Sequence, residues 1–293
     1  MNQRDLHAVN YCACFIDLLG QQDEYKNESL LPTFKSSEEE NAFVAKLKAT
    51  IGITLDLQKS AADMMKAAAS KNPAKRDVLN EELREIYDEM RRVEPKQQRW
   101  SDGLVFYVSL MMAGAKCPMN GVFVLFALAG SLCFLGLAKR RPLRGAIDVA
   151  WGIELHENEL YGAIVAKAYE LESKVAQYPR IVVGPRTVEY LELNSRITDQ
   201  DHFSQYNKAL AVLCLQMLAQ DTDGHYILHY LGDLFRRHIS QGQHGVLYKK
   251  ALELISEEFA LHQRNKNSKL AFRYASLLSY FAAHEADTND TQK

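Results

Sequence analysis

Asp17 lies in CACFIDLLGQ, inside a run from Ala8 to Leu19 that is otherwise almost wholly apolar. A run this rich in aliphatic and aromatic residues reads as a strand in the middle of a sheet. Burying an unpaired carboxylate costs several kcal/mol or forces it to take up a proton, so Asp17 needs a cation, a set of backbone N–H groups or a metal ion. The alternative is that the strand ends one residue early and Asp17 caps the turn that follows. Asp102 lies in RWSDGLVFYVSL, residues 99 to 110, two short apolar stretches hinged at Asp102-Gly103, a pair typical of tight hairpins. An aspartate in such a turn is ordinary by itself. If the two strands are neighbours, however, both carboxylates converge on one edge of the sheet and offer hard oxygen ligands to one or two divalent cations. A two-metal site suits displacement at phosphorus, because it stabilises the attacking and the leaving oxygens together.

Other chemistry is poorly supplied. No Walker A, GxGxxG or GxSxG motif occurs. His225 and His229 are four apart, a metal-pair spacing on a helix, but HYILH reads as strand. The chain has 293 residues, enough for one large domain or one domain with an appendage. With 35 basic and 37 acidic residues its net charge is −2, which gives no global attraction to nucleic acid or to a membrane surface. The five cysteines are odd in number and sit in apolar surroundings, so they read as reduced core thiols of a cytoplasmic protein. MNQRDLHAVN has no apolar h-region after its charges, and no signal peptide is expected.

These acids must be positioned by the elements around them. A polar loop follows the first strand, and a helix is expected from about Ser37 to Ser70, opened by a serine cap and Glu38-Glu39-Glu40. Asn72-Pro73 breaks it, a second helix should run to about Val93, and the two should form an antiparallel pair. After the hairpin comes GVFVLFALAGSLCFLGLA, residues 121 to 138, followed by KRR. It has the size and flank of a membrane span, but Gly130, Ser131, Gly136 and hydrophilic neighbours favour a core helix. LRGAIDVAWGIEL (143 to 155) reads as a strand, 161 to 177 as a helix, RIVVG (180 to 184) as a strand and PRTVEYLELN as a short helix. Beyond residue 200, a turn at Asp221 to Gly224 between apolar stretches predicts a hairpin, and 246 to 286 predicts two helices split at Asn265 to Ser268.

The order FIDLLG, WSDGLVFYV, LRGAIDVAWG, LYGAIVAKAYELES and RIVVGPRTVEYL resembles the class III nucleotidyl cyclase catalytic domain over roughly residues 8 to 192. RGAI, AYELESK and YPRIVV, with a C-terminal helical extension, are most similar to the stand-alone bacterial pyrimidine cyclases of Pycsar antiphage defence. The resemblance implies an α+β fold with a ferredoxin-like βαββαβ core and a mostly antiparallel sheet. Residues 1–199 would be the catalytic domain, with a helical insertion at about 37–94, and 200–293 a C-terminal hairpin and helical extension packed on it. It also implies two divalent cations, Mn²⁺ or Mg²⁺, on Asp17, Asp102 and the backbone carbonyl of Leu18, and an active site shared across a homodimer. The reaction would be attack of the ribose 3′-hydroxyl on the α-phosphate of UTP or CTP, giving a cyclic monophosphate that acts on a cyclic-nucleotide-activated effector. Nucleic acid and stable membrane association are not expected.

The departures are specific. Purine cyclases of this family read the base with a lysine and an acid, and those positions here are Gln98 and Glu159. Gln98 can both donate and accept, as a pyrimidine edge requires, which disfavours a purine cyclase. The positions of the ribose-orienting Asn and the transition-state Arg are Ala166 and Glu170. Either another cation serves, with Arg144, Lys167, Lys174, Arg180, Arg99 or the pair Arg236-Arg237 as candidates, or the chain is a cyclase-like regulatory module that has lost catalysis.

Overall fold

The computed structural model describes residues 7–19, 32–70, 72–90, 92–100, 103–111, 114–156, 158–240 and 242–284. Asp102 lies outside these residues, so its expected place at a hairpin tip is not among the features described below. The elements are β1 (Val9–Leu18), α1 (Ser37–Ala69), α2 (Pro73–Asp77), α3 (Glu81–Glu89), β2 (Lys96–Trp100), β3 (Gly103–Ser109), α4 (Pro118–Ala138) and β4 (Leu143–His156). There follow β5 (Glu159–Tyr161), α5 (Ala163–Lys174), β6 (Ile181–Val183), α6 (Pro185–Ser195), α7 (His202–Gln216), β7 (Leu218–Gln220), β8 (Tyr226–Leu228), α8 (His244–Arg264) and α9 (Ser268–Ala283).

The fold is α+β, with an eight-stranded, mostly antiparallel sheet in the order β2-β3-β1-β4-β6-β8-β7 and β5 paired to the far end of β4. Only β4 and β6 run parallel among the pairs. The apolar run around Asp17 is therefore an interior strand, flanked by β3 and β4. Alternation along β1 divides its side chains between two cores. Cys12, Cys14, Ile16 and Leu18 join the large core under α4, while Tyr11, Ala13 and Phe15 join a smaller one under α5. All five cysteines are free and buried, and burial pushes the Cys117 and Cys133 thiols up to about 12, as inert core thiols require.

The uncharged stretch after the hairpin is a core helix. α4 packs against β1, β3, β4, α7 and α8, and Leu125, Phe126, Leu132 and Phe134 are buried along it. Its length and hydropathy would suit a membrane span, yet its apolar surface is taken up by the sheet and the C-terminal helices.

Three expectations change. The second insertion helix is broken into α2 and α3, because the Asn80 side chain accepts from the Leu83 N–H and starts a new helix. α1 packs on α4 and α3 on α7, where an antiparallel pair was expected. Most of the apolar stretch 209–220, read as a flank of the late hairpin, lies in α7 (His202–Gln216), capped by Asp201 accepting from the Phe203 and Ser204 N–H groups. The hairpin itself is β7–β8, and β8 extends the main sheet by pairing with β6.

Candidate functional site

Asp17 is the next-to-last residue of β1 and stands directly opposite Arg144 of β4. By alternation it shares the α5-covered face with Phe15. Arg144 Nη2 lies 3.4 Å from Asp17 Oδ2, and its Nε pairs with Glu172 of α5. The side chains of Asp17 and Arg144 are about a fifth exposed, whereas that of Glu172 is closed off. One guanidinium lies between two carboxylates in partial burial, where charge is poorly screened, and the charge of Arg273 is also felt at Arg144. The chain enters β3 at Gly103 beside this end, since Leu104 pairs with Ile16 and a Cβ on Gly103 would stand 2.9 Å from the Ile16 carbonyl oxygen.

An aromatic wall adjoins the acid. The Phe15 ring meets Trp100 of β2 and Tyr169 of α5 edge-on, at centroid distances of 6.2 and 5.5 Å. Trp100 and Tyr169 are themselves half exposed, so each ring offers a face to solvent next to Asp17. Glu172 and this wall went unnoticed in the sequence. The signal for them is the spacing Val165, Ala168, Tyr169, Glu172, one sheet-facing side of α5.

The two positions expected to read the base are brought together. Gln98 Oε1 accepts from the Leu160 N–H at 3.0 Å, which seats it beside Glu159 at the start of β5. β5 can reach β2 because β4 curls over this face. Glu154 of β4 accepts from Lys96 Nζ at 2.6 Å and from the Tyr107 hydroxyl at 3.2 Å. Against its burial, Lys96 holds the Glu154 carboxyl below the usual range.

Other candidates are placed elsewhere. Ala166 and Glu170 lie on the exposed side of α5, and Glu170 pairs with Lys174 at 3.0 Å and Lys167 at 3.5 Å. Those two lysines hold its carboxyl below its ordinary value. Arg180 is 3% exposed and bridges Asp221 and Asp223 of the β7–β8 turn, each at 2.5 Å, which makes it a clamp between β6 and the C-terminal hairpin. Arg99 lines a groove with Leu55, Gln58 and Lys59 of α1. Arg236 and Arg237 pair with Asp233 in a π-helical turn packed on α4. His225 is exposed in the late turn, and His229 packs its ring against Tyr280 and His284.

Among the described residues, no group of three or more His, Cys, Asp or Glu side chains is placed to hold a metal ion. The donors at the end of β1, the Asp17 carboxylate and the Leu18 backbone, are hard oxygens of the type that Mn²⁺ and Mg²⁺ take. The donor chemistry therefore fits Mn²⁺ or Mg²⁺. No protein-family model matches the chain, and a search of curated proteins finds no significant relative.

Proposed function

We propose that the chain is a cytoplasmic, metal-dependent nucleotidyl cyclase of the class III type, which converts UTP or CTP to its 3′,5′-cyclic monophosphate. The observation that carries this reading is Asp17 at the end of an interior strand, opposite Arg144 and beside the entry to β3. The β2-β3-β1-β4 order supports it too, being that of a ferredoxin-like βαββαβ unit. Asp17, Asp102 and the Leu18 backbone would hold the divalent cations, which when bound neutralise the triphosphate and make the 3′-hydroxyl easier to ionise.

The chain's own residues do the rest. Arg144 fixes the Asp17 carboxylate from one side while Glu172 fixes Arg144 from the other, so the acid is oriented before substrate arrives. Trp100 and Tyr169 supply a stacking face for a nucleobase, and Gln98 with Glu159 supplies donors and acceptors for its edge. The new bond joins the 3′-oxygen to the α-phosphorus, the bond to the β-phosphate oxygen breaks, and the hydroxyl proton is released. Ala166 and Glu170 stand on an exposed helix face, which suits a site completed by a second copy of the chain. The product would serve as a second messenger of antiphage defence, read by a cyclic-nucleotide-activated effector.

Glu170 favours a second assignment, a cyclase-like nucleotide-binding module without turnover, because an acid held between Lys167 and Lys174 cannot stabilise negative charge at phosphorus. Incubation of the purified protein with each of the four ribonucleoside triphosphates and Mn²⁺, with products resolved by mass, separates the two. A cyclic pyrimidine product that vanishes in Asp17→Ala and Asp102→Ala supports the cyclase. Nucleotide binding with no product from any triphosphate supports the module, and a cyclic purine product would reassign the base.

A further inference from the structure

The sequence Lys139-Arg140-Arg141 after α4 reads as a solvated connection, but the fold gives its side chains another setting. α4 ends in a Schellman motif with Arg140 in the left-handed region at φ 61°. The Arg140 N–H donates to the Leu137 carbonyl at 3.0 Å, the Arg141 N–H to that of Gly136 at 2.7 Å, and the Lys139 N–H to that of Leu135 at 2.9 Å. The last carbonyls of the helix are thus satisfied by the main chain, and none of these long side chains is needed as a cap. Arg140 reaches over to Glu257 of α8 at 2.6 Å.

Lys139 and Arg141 instead line a cleft of about 450 Å³ with Lys250 of α8. Its walls are apolar and come from four elements, among them Leu18 of β1, Leu57 of α1, Leu132 of α4 and Leu143 of β4. Among the described residues, no carboxylate lies within ion-pair distance of Lys139, Arg141 or Lys250, and Asp56 is the one acid in the lining. Three cations against one carboxylate, above leucine walls, is a combination that neither a purely apolar nor a purely ionic occupant satisfies. The volume lies within the range of about 300–1,000 Å³ usual for small-molecule sites. Leu18 faces this cleft from the side of β1 opposite to Asp17, so it is separate from the candidate active site.

We infer that this cleft binds a small organic anion, a carboxylate or phosphate ester on an apolar body, with the anion against Lys139, Arg141 and Lys250 and the body against the leucines. A chain of bare polyphosphate or a sugar would leave the walls uncovered, and a neutral hydrocarbon would leave the cations without a counter-charge.

Calorimetric titration of the full chain tests it with four probes: octanoate, octyl phosphate, octanol and inorganic phosphate. Octanoate or octyl phosphate, or both, should bind at a single site, and which of the two binds tighter names the head group. Octanol and inorganic phosphate should each bind at least about tenfold more weakly. The triple variant K139Q/R141Q/K250Q changes only exposed side chains, keeps the fold by circular dichroism, and should lose at least about tenfold in affinity for the anionic probes. Equal affinity for octanol, unchanged affinity in the triple variant, or no binding of either anionic amphiphile would overturn the assignment.

Discussion

Arg144 and Arg180 each bridge two carboxylates, yet the first side chain is 20% exposed at an open strand end and the second is 3% exposed beneath a hairpin. Arg180 also donates to the Val175 carbonyl at 2.7 Å and lies over the Tyr178 ring at 4.4 Å, so nearly every face of its guanidinium is engaged. Arg144 keeps a longer, 3.4 Å contact to an acid that can still meet solvent. The same three charged groups therefore make a fastening in one place and an adjustable edge in the other. What distinguishes them is how far the surrounding elements close, and that follows from the β7–β8 hairpin covering one sheet end while the end of β1 stays partly open.

The largest effect is expected at the fastening. Arg180→Ala leaves Asp221 closed off without its counter-charge, while Asp223 at 43% exposure can turn to water, and urea unfolding should show a loss of about 3–5 kcal/mol. If the loss is small, the clamp is not what holds the hairpin to β6. Arg144→Ala should lose less, about 1–3 kcal/mol, because Glu172 is left buried while Asp17 can turn to water. Adding Glu172→Gln should restore part of that loss, and a strictly additive double mutant would mean that the pair is not coupled.

Asp148 extends the comparison to an acid that no arginine bridges. It is buried on β4 with Oδ1 unpartnered among the described residues, close against Gly184 at the start of α6. Burial raises its carboxyl above the ordinary 3.8, with backbone N–H groups of Val149 and Thr187 and the charge of Arg186 pulling the other way. The folded state then holds a proton that the unfolded chain has released, so this group's contribution to stability is fully present below the unfolded value of 3.8 and is lost as pH rises through the raised one. Asp148→Asn should remove that decline, which urea midpoints measured across the acid-to-neutral range would detect.

The smallest change in stability is expected at Asp17. Asp17→Asn should shift unfolding by less than about 1 kcal/mol, since the contact is long and partly solvated. The same substitution should abolish cyclic nucleotide formation in the triphosphate assay. A large stability loss would make Asp17 a second fastening, and an active Asp17→Asn would remove it from the chemistry.

Much of the architecture was legible because it follows from local patterns. The run around Asp17 is long, apolar and uncharged but for one residue, and β1 is indeed an interior strand of the sheet. The Pro73 break, the hairpin of β2 and β3, the strand from Leu143 and the split at 265–267 rest on turn residues and caps, which act within a few positions. What was illegible depends on distant partners. The break at Asn80 is a capping decision that a run of good helix formers conceals. α7 shows no clear amphipathic stripe, because it packs on both α4 and α6. The short β5 becomes a strand only because β4 is long enough to fold back over β2.

The candidate site divides the same way. The sequence by itself singled out Asp17, since a carboxylate inside an apolar strand demands a partner whatever the fold, and among several cations it put Arg144 on a strand that should border the site. Only the tertiary structure shows which of those cations meets Asp17. Antiparallel register sets Arg144 opposite Asp17, the packing of α5 brings Glu172 in behind it, and the late hairpin closes over Arg180. Charge type and spacing are local properties of a chain, but how much solvent and which counter-charge a side chain meets is decided by separate elements coming together, 127 residues apart for Asp17 and Arg144 and 41 for Arg180 and Asp221.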